Sequence, residues 1–177
     1  GDRVVCVSKC IKDYVTNNYN DVDQRKLKTA PRGVDPIEFP YGYLPASDWL
    51  SLWQKSNPQF RGKFIVLLPG RITRWKGQLD FVQMICRLRE EGVDAHGIFV
   101  GDAHPRKMQF KQELSSSITS CPSPDSFTFL GTRNDLREIM SVSDVIVSCS
   151  TDPEAFGRVT LEALSLGKPV AGYAHGG

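Results

Sequence analysis

The chain has 177 residues, of which 40% are hydrophobic and 24% are charged, as in a soluble globular protein with one full domain and part of another. Its formal net charge is only +2, which gives no electrostatic case for binding nucleic acid. No apolar run approaches the ~18–20 residues that a transmembrane helix needs, and the first residues do not resemble a signal peptide. We therefore expect a chain without a transmembrane segment, entered partway through a longer protein.

The five cysteines contain no Cys-x-x-Cys pair, so neither a zinc ribbon nor a thioredoxin-type site is predicted. Cys6, Cys86 and Cys149 stand in apolar surroundings, which is typical of buried, reduced thiols. This pattern favours a reducing compartment such as the cytoplasm.

The first 60 residues contain short elements and a proline-rich segment. Residues 4–7 and 27–30 are predicted strands, and an apolar stripe between them predicts a helix. The stripe consists of Ile11, Tyr14, Val15 and Tyr19. Three prolines within residues 36–45 predict a linker, after which Ser47 is expected to cap a short helix that carries two tryptophans.

From Phe64 onward, apolar strands alternate with amphipathic helices. Residues 64–68 form a continuous apolar run, as expected for a strand buried on both faces, and residues 78–91 form a helical pattern that stops at Gly92. Further strands are predicted at 98–100, 127–130, 145–148 and 169–173, with helices near 106–117, 134–141 and 158–166. This alternation predicts an α/β fold, a Rossmann-like doubly wound parallel sheet.

Two motifs each stand at a turn from a strand to a helix. The first runs from Pro69 to Gly77 and contains Gly-Arg and Lys-Gly pairs, and the second runs from Pro153 to Ala163 and contains two glutamates around a Phe-Gly. In an open α/β sheet, ligands bind beside the carboxyl ends of the strands. The N–H groups at a helix start and nearby cations hold phosphate, and carboxylates accept hydrogen bonds from sugar hydroxyls.

Together the two motifs resemble the donor-site signature of family 4 (group 1) glycosyltransferases, which have the two-domain GT-B fold. The residues around Glu154 look most like those of bacterial enzymes of surface-polysaccharide or lipopolysaccharide assembly. The resemblance implies a retaining glycosyltransferase that moves a sugar from a nucleoside-diphosphate sugar to an acceptor hydroxyl. It covers mainly the C-terminal, donor-binding half of such an enzyme, so we expect a chain truncated at both ends.

The resemblance also implies roles for individual residues. Arg71 and Lys76 are expected to stabilise the leaving diphosphate, and Glu154 is expected to face the donor sugar, so these three form the predicted catalytic set. Glu162 is expected to hold the ribose hydroxyls, and the helix start after Gly157 is expected to cradle the diphosphate. The predicted substrate-binding residues are Gly70, Thr132, Arg133, Phe156, Gly157, Arg158, Val159, Thr160 and Glu162.

Several of these residues have a second interpretation. Arg74 and Arg158 also fit the description of solvated side chains. The resemblance sets the loop that contains Thr132 against the base, but Thr132 or Asn134 would also serve as an ordinary helix cap, and the two roles are compatible. Glu162 could be an ordinary helix glutamate, although its apolar neighbours argue against a freely exposed position.

The predicted organisation has three parts. Residues 1–35 are expected to end an N-terminal acceptor domain, residues 36–60 to form a linker with a short helix, and residues 61–177 to form a donor-binding domain that is incomplete at its C-terminus. The donor, a UDP-, GDP- or ADP-sugar, is a substrate, and neither a cofactor nor a metal is predicted. A saccharide or lipid-linked acceptor would bind through the missing domain. The expected location is cytoplasmic, with peripheral attachment at the inner face of the membrane left open.

Other functions remain open at this point. A GT-B-fold epimerase or phosphorylase shares the architecture, though not this pair of motifs. A nucleotide-sugar-binding module without turnover also fits the chain as it stands. An NAD-dependent Rossmann enzyme is disfavoured, because its Gly-x-Gly-x-x-Gly turn should follow the first strand of the sheet, and residues 70–75 lack that pattern.

Overall fold

The described residues, 1–105 and 108–177 of a computed structural model, form two parallel sheets. In the small sheet, β1 (Val4–Cys6) pairs with β2 (Leu27–Thr29), and α1 (Lys9–Asn18) connects them. Helix α1 begins after Ser8, whose hydroxyl accepts a hydrogen bond from the amide of Ile11 at 3.2 Å. These three elements lie where the sequence predicts them.

The large sheet has five parallel strands in the order β5-β4-β3-β6-β7. The strands are β3 (Phe64–Pro69), β4 (Ala95–Val100), β5 (Phe127–Phe129), β6 (Val145–Ser148) and β7 (Val170–Gly172). From β3 the chain proceeds outward to β4 and β5 and then returns to the other side of β3 for β6 and β7. The predicted Rossmann-like fold is confirmed, and its topological switch point lies between β3 and β6.

Helices cover both faces of the large sheet. They are α2 (Ser47–Ser56), α3 (Gln78–Glu90), α4 (Gln109–Thr119), α5 (Leu136–Val142) and α6 (Arg158–Ser165). Side chains alternate along a strand, so Val66 and Leu68 of β3 enter one core cluster, with α3 and α4, while Ile65 and Leu67 enter a second, with α5 and α6. This two-sided burial explains the continuous apolar run in the sequence.

Strand β4 begins three residues before its predicted start, at Ala95. The extension contains His96, a polar residue that does not read as part of a buried strand. His96 is nevertheless buried, with Nε2 2.9 Å from the hydroxyl oxygen of Thr128 and its ring edge against Phe60. A hydrogen bond to the neighbouring strand therefore makes the buried imidazole tolerable.

Two predicted helix caps are wrong. Ser47 is the first residue inside α2, whose cap is Ala46, and no side chain caps that helix. Helix α5 is preceded by Asp135, again without a side-chain cap bond, so neither Thr132 nor Asn134 caps it. Both helices are held instead by packing on the core, which outweighs a missing cap.

The cysteines and the helix predicted near residues 106–117 agree only in part with the sequence predictions. Cys6 and Cys149 are buried free thiols, as predicted, but Cys86 is paired with Cys121 in a disulfide between α3 and the loop after α4. The predicted helix near 106–117 corresponds to α4, and its first two predicted residues, 106 and 107, lie outside the described part of the chain. Among the described residues, no helix is both long and apolar enough to cross a lipid bilayer.

The proline-rich segment and α2 pack against the second core cluster. Phe39 and Tyr43 of the segment and Trp49 and Trp53 of α2 lie against it. The hydroxyl of Tyr43 donates to Glu138 of α5 at 2.9 Å, and the carbonyl of Phe39 accepts a hydrogen bond from a serine of α6 at 2.6 Å. The division into residues 1–35, 36–60 and 61–177 stays a prediction, but the middle part shares its core with the last.

Candidate functional site

Two loops meet at the carboxyl edge of the large sheet. One contains residues 70–76 after β3, and the other contains residues 149–157 after β6. Because β3 and β6 are hydrogen-bonded neighbours, both loops leave the sheet side by side. The backbone amide of Thr151 also donates to the carbonyl of Trp75 at 2.7 Å, which ties one loop to the other. The two sequence motifs therefore face each other across the switch point.

Lys76 and Glu154 form an ion pair between these loops, and both side chains are half-buried. The hydroxyl of Ser150 donates to the same carboxylate oxygen of Glu154 at 2.7 Å. The ammonium of Lys76 also lies 4.3 Å from the centre of the Trp75 ring, a cation–π contact. The structure thus brings two of the three predicted catalytic residues into direct contact.

The protonation of Glu154 follows from these contacts. Burial acts to raise the pKa of its carboxyl, but the hydrogen bonds from Lys76 and Ser150 and the charge of Lys76 lower it further than burial raises it. The net result is a pKa below the usual glutamate value, so Glu154 is ionised at neutral pH. An ionised carboxylate accepts hydrogen bonds and donates none, which suits contact with hydroxyl groups.

Glycine is required where the loops approach most closely. Gly77 has a left-handed backbone (φ 68°), and a side-chain carbon added there would lie 1.8 Å from the carbonyl oxygen of Cys149. Gly101, after β4, is similar, because an added carbon would lie 2.2 Å from the carbonyl oxygen of Gly70. Any larger residue at either position would force the loops apart.

The two arginines of the first loop differ in their surroundings. The side chain of Arg71 is exposed, while its backbone carbonyl accepts a hydrogen bond from Gln78 at 2.9 Å. Arg74 forms two hydrogen bonds with Glu113 of α4, at 2.9 and 2.5 Å, and lies over the ring of Phe110. The contacts of the Arg74 side chain are therefore with α4 and not with the loop after β6.

The start of α6 forms one wall of a small pocket. Gly157 precedes the helix with a left-handed backbone (φ 81°), and Phe156 before it is half-buried. The pocket has a volume of about 190 Å³ and lies between this helix start and the ion pair. Its lining includes Lys76, Ser150, Glu154, Gly157, Arg158, Val159 and Thr160. Backbone N–H groups at a helix start favour an anion, so the pocket combines phosphate-binding groups with a carboxylate.

Glu162 lies one turn further along α6 and is buried, with only 7% of its surface exposed. Arg158 approaches it from the preceding turn, with Nε 2.8 Å from the carboxylate. Burial raises the pKa of Glu162; the charge of Arg158 opposes this, and the charge of Glu38 adds to it. The interpretation of Glu162 as an ordinary helix glutamate that faces solvent is therefore wrong, because its side chain is buried and paired with Arg158.

A larger groove of about 1060 Å³ continues from Glu162 towards the loop that follows β5. Thr132 and Arg133 line this groove, together with Trp49 of α2 and five residues that precede α2: Gly33, Val34, Asp35, Glu38 and Phe39. The guanidinium of Arg133 forms two hydrogen bonds with Asp135, at 2.8 and 2.6 Å, and Trp49 donates to Asp135 at 2.8 Å. Seven of the nine predicted binding residues therefore line these two cavities, whereas Gly70 and Phe156 line neither.

Three contributors to this site were not predicted from the sequence. Ser150 supports Glu154, Asp135 orients Arg133, and Trp49 closes the groove from the linker side. Trp49 and Asp135 are 86 residues apart in sequence, so no local pattern connects them. Ser150 carried a usable signal, because it stands two residues after a predicted strand and four residues before Glu154.

The described residues contain no group of three histidine, cysteine, aspartate or glutamate side chains arranged to hold a metal ion. His175 lies close to the ion pair, with Nε2 2.7 Å from the backbone oxygen of Ser150, and its charge contributes to lowering the pKa of Glu154. The small pocket is lined by a lysine, an arginine, the start of α6 and the carboxylate of Glu154, while Glu162 lines the larger groove.

A family model described as "Glycosyl transferases group 1" matches residues 51–177, which is most of the chain. The chain belongs to this family. The resemblance inferred from the two motifs is thereby confirmed, while the roles of single residues stay predictions. Both motifs fall within the matched region, as does every predicted site residue.

Relatives of this group 1 glycosyltransferase chain include a spore coat protein and an enzyme named as a galactosyltransferase. Spore coat protein SA of Bacillus subtilis is 28% identical over 188 residues, which cover 99% of this chain and 47% of that protein. An Escherichia coli enzyme, UDP-Gal:alpha-D-GlcNAc-diphosphoundecaprenol alpha-1,3-galactosyltransferase, is 27% identical over 94% of this chain and 41% of its own length. The chain thus spans less than half the length of these relatives.

Solved glycosyltransferase structures share the fold closely. Anabaena HepE in complex with UDP and glucose superimposes with a TM-score of 0.88 at 25% identity, over 100% of this chain and 46% of HepE. A glycosyltransferase from Rickettsia africae superimposes with a TM-score of 0.88 at 29% identity, over 99% of this chain and 45% of its own. The small sheet and the large sheet therefore both lie within the matched part.

Proposed function

We propose that this chain supplies the donor site of a retaining glycosyltransferase that uses a nucleoside-diphosphate sugar. The observation that carries the proposal is the convergence of Lys76 and Glu154 beside the start of α6. A nucleotide-sugar donor needs cationic and N–H groups for its diphosphate and an acceptor for its sugar hydroxyls. All three kinds of group line the pocket between β3 and β6.

In this proposal, the ion pair holds Lys76 ready in the absence of a donor. When a diphosphate binds, the ammonium transfers its contact to a phosphate oxygen, and Glu154 becomes free to accept hydrogen bonds from the sugar. Lys76 and the exposed Arg71 then stabilise the negative charge that develops as the bond between sugar carbon and phosphate oxygen breaks. The acceptor hydroxyl attacks from the same face, and a diphosphate oxygen takes its proton.

The nucleoside would lie in the larger groove. Glu162 is buried at the junction of the two cavities, where its carboxylate can accept hydrogen bonds from ribose hydroxyls. Thr132 and Arg133 would lie beside the base. UDP is the first nucleotide to test, because the similar Anabaena protein has been solved with UDP and with UDP-glucose.

The acceptor is proposed from the relatives alone. One relative transfers galactose to a sugar on a diphosphoundecaprenol carrier, and another is a 2-deoxystreptamine glucosyltransferase from Streptomyces kanamyceticus. A saccharide, free or lipid-linked, is the acceptor class that these names support. In this proposal the acceptor binds mainly through an N-terminal domain, and the reaction takes place at the cytoplasmic side.

Calorimetric titration of the chain with UDP, GDP and ADP, with and without Mg²⁺, tests the proposal. We expect metal-independent binding of one diphosphate, and we expect Lys76→Ala to weaken it roughly 10- to 100-fold, the range for a hydrogen bond between charged groups. Binding of the free nucleoside should be unchanged. The exposed Lys55 on α2 provides a matched control, since Lys55→Ala removes the same charge from a residue that lines neither cavity. Equal losses for diphosphate and nucleoside would remove Lys76 from the diphosphate site.

A second candidate function is nucleotide-sugar binding without turnover by this chain. The observation that favours it is the coverage of the relatives, since the chain spans 47% of the Bacillus subtilis protein and 46% of Anabaena HepE. An assay of UDP release from UDP-glucose in the presence of saccharide acceptors separates the two candidates. Binding without release supports the second, and acceptor-dependent release supports the first.

A further inference from the structure

Gln78 is an amide side chain buried completely at the first residue of α3. Its Nε2 donates to the backbone carbonyl of Arg71 at 2.9 Å. Its Oε1 is buried as well and has no hydrogen-bond partner among the described residues. Burying an amide with one end unpaired costs free energy, and a leucine or methionine would avoid that cost. The position of Gln78 is therefore poorly explained by stability alone.

The bond from Gln78 fixes a peptide group between two anchored parts of the first loop. The amides of Gly70 and Ile72 donate to backbone oxygens at and just beyond the end of β4, at 2.8 and 3.1 Å. The carbonyl of Trp75 accepts from the loop after β6 at 2.7 Å. The carbonyl of Arg71 belongs to the same peptide group as the amide of Ile72, and it accepts a second hydrogen bond for that group from the Gln78 side chain.

The orientation of this carbonyl matters for the direction of the Arg71 side chain. Rotation of the peptide plane after Arg71 changes its ψ angle and, with it, the path of the loop from Ile72 to Lys76. Ile72 is buried in the first cluster, which holds one side of that peptide group. Without the Gln78 bond, this peptide group keeps only one hydrogen bond, from its own N–H on Ile72 to the backbone oxygen of Asp102, so its orientation is less firmly fixed.

We propose that Gln78 is a positioning residue for the diphosphate-binding loop, acting through the carbonyl of Arg71. This inference rests on the proposed donor site and adds a residue to its support. Gln78 lines neither of the two cavities. It holds the loop so that Arg71 and Lys76 meet the diphosphate together, and its unpaired oxygen is the structural cost of that placement.

The test uses Gln78→Met, which keeps the length and volume of the side chain and removes the amide. We expect the melting temperature to change by less than about 2 °C, because the lost hydrogen bond is offset by the removal of an unpaired buried oxygen. We expect the dissociation constant for the best-bound diphosphate among UDP, GDP and ADP to rise about five- to tenfold. The dissociation constant for the matching nucleoside should not change.

Two further variants complete the experiment. Gln83→Met makes the same substitution at an exposed position of the same helix and should match the wild type in all three measurements. Gln78→Leu also removes the amide and buries no charge, so it should weaken diphosphate binding about as much as Gln78→Met. Its different shape gives a second result where Gln78→Met does not fold.

The outcomes separate the inference from the proposed function. Wild-type binding with no change in Gln78→Met or Gln78→Leu would overturn the positioning role and leave the donor site intact. Equal weakening of diphosphate and nucleoside, or a large fall in melting temperature, would show that Gln78 only supports the fold. Failure of the wild-type chain to bind any of the three diphosphates would refute the donor site and the inference together.

Discussion

His96 should make the folded state sensitive to mild acid. It lies on β4 with 3% of its surface exposed, hydrogen-bonded to Thr128 and packed edge-on against Phe60. Burial, together with the positive charges of Lys63 and Arg89, lowers the pKa of His96 from 6.5 to about 4. The imidazole is therefore neutral in the folded protein at pH values where the unfolded chain already binds a proton.

The sign and size of the effect follow from this difference. Above pH 6.5 both states hold a neutral imidazole, and the contribution of His96 is fully present. Between pH 6.5 and 4 the unfolded state binds more protons than the folded state, so the free energy of unfolding falls as the pH falls. The two pKa values give a loss of about 2 kcal/mol at pH 5 and about 3 kcal/mol below pH 4.

Urea unfolding at pH 7.5 and at pH 5.0 measures this loss. Wild type, His96→Gln and His96→Leu should be compared, because each substitution changes stability by itself but neither side chain titrates. We expect both variants to lose about 2 kcal/mol less than the wild type between the two pH values. Carboxyl groups titrate alike in all three proteins and cancel. Identical losses in the three proteins would refute the assignment of acid sensitivity to His96.

Three other substitutions test the site and its frame. Gly77→Ala should lower the free energy of unfolding by at least about 3 kcal/mol, because the added methyl group clashes with the carbonyl of Cys149. Gly33→Ala is the control and should leave the free energy of unfolding unchanged, because the added methyl group meets nothing within 4 Å; thermal unfolding measures both variants. Glu154→Gln in a full-length enzyme should reduce turnover more than nucleotide affinity, and unchanged turnover would exclude its contact with the sugar. Arg74→Ala should leave the diphosphate dissociation constant within about twofold, as expected for an exposed ion pair outside the pocket, and a larger change would return Arg74 to the site.

The strands of the large sheet were predictable because they are buried on two faces. A run such as residues 64–68 has few alternatives once helices of amphipathic pattern follow it. The start of β4 was not predictable from the sequence, because a hydrogen bond to Thr128 keeps the polar His96 in the strand. His96 and Thr128 lie on different strands and are 32 residues apart in the sequence. Helix starts at Ser47 and Asn134 were also misjudged, because packing rather than a cap determines where α2 and α5 begin.

The site, like the fold, has features that the sequence predicts and features that it does not. The two motifs were visible because each is a local pattern at a strand end, and their proximity followed from a parallel sheet. The direct pairing of Lys76 with Glu154 was not visible, since it requires β6 to lie beside β3 although β4 and β5 intervene in the sequence. The role of Gln78 was hidden for another reason. An amide at the start of a helix looks like an ordinary surface residue until its burial is known.

The packing of residues 39–60 decides how the donor half of such an enzyme can be produced separately. A chain shortened to begin at residue 61 would lose five aromatic side chains from the second cluster: Phe39, Tyr43, Trp49, Trp53 and Phe60. Their removal would expose an apolar surface on α5 and α6, and exposed apolar patches promote aggregation. A fragment intended for crystallisation or screening should therefore begin no later than Gly33, the first residue that lines the larger groove.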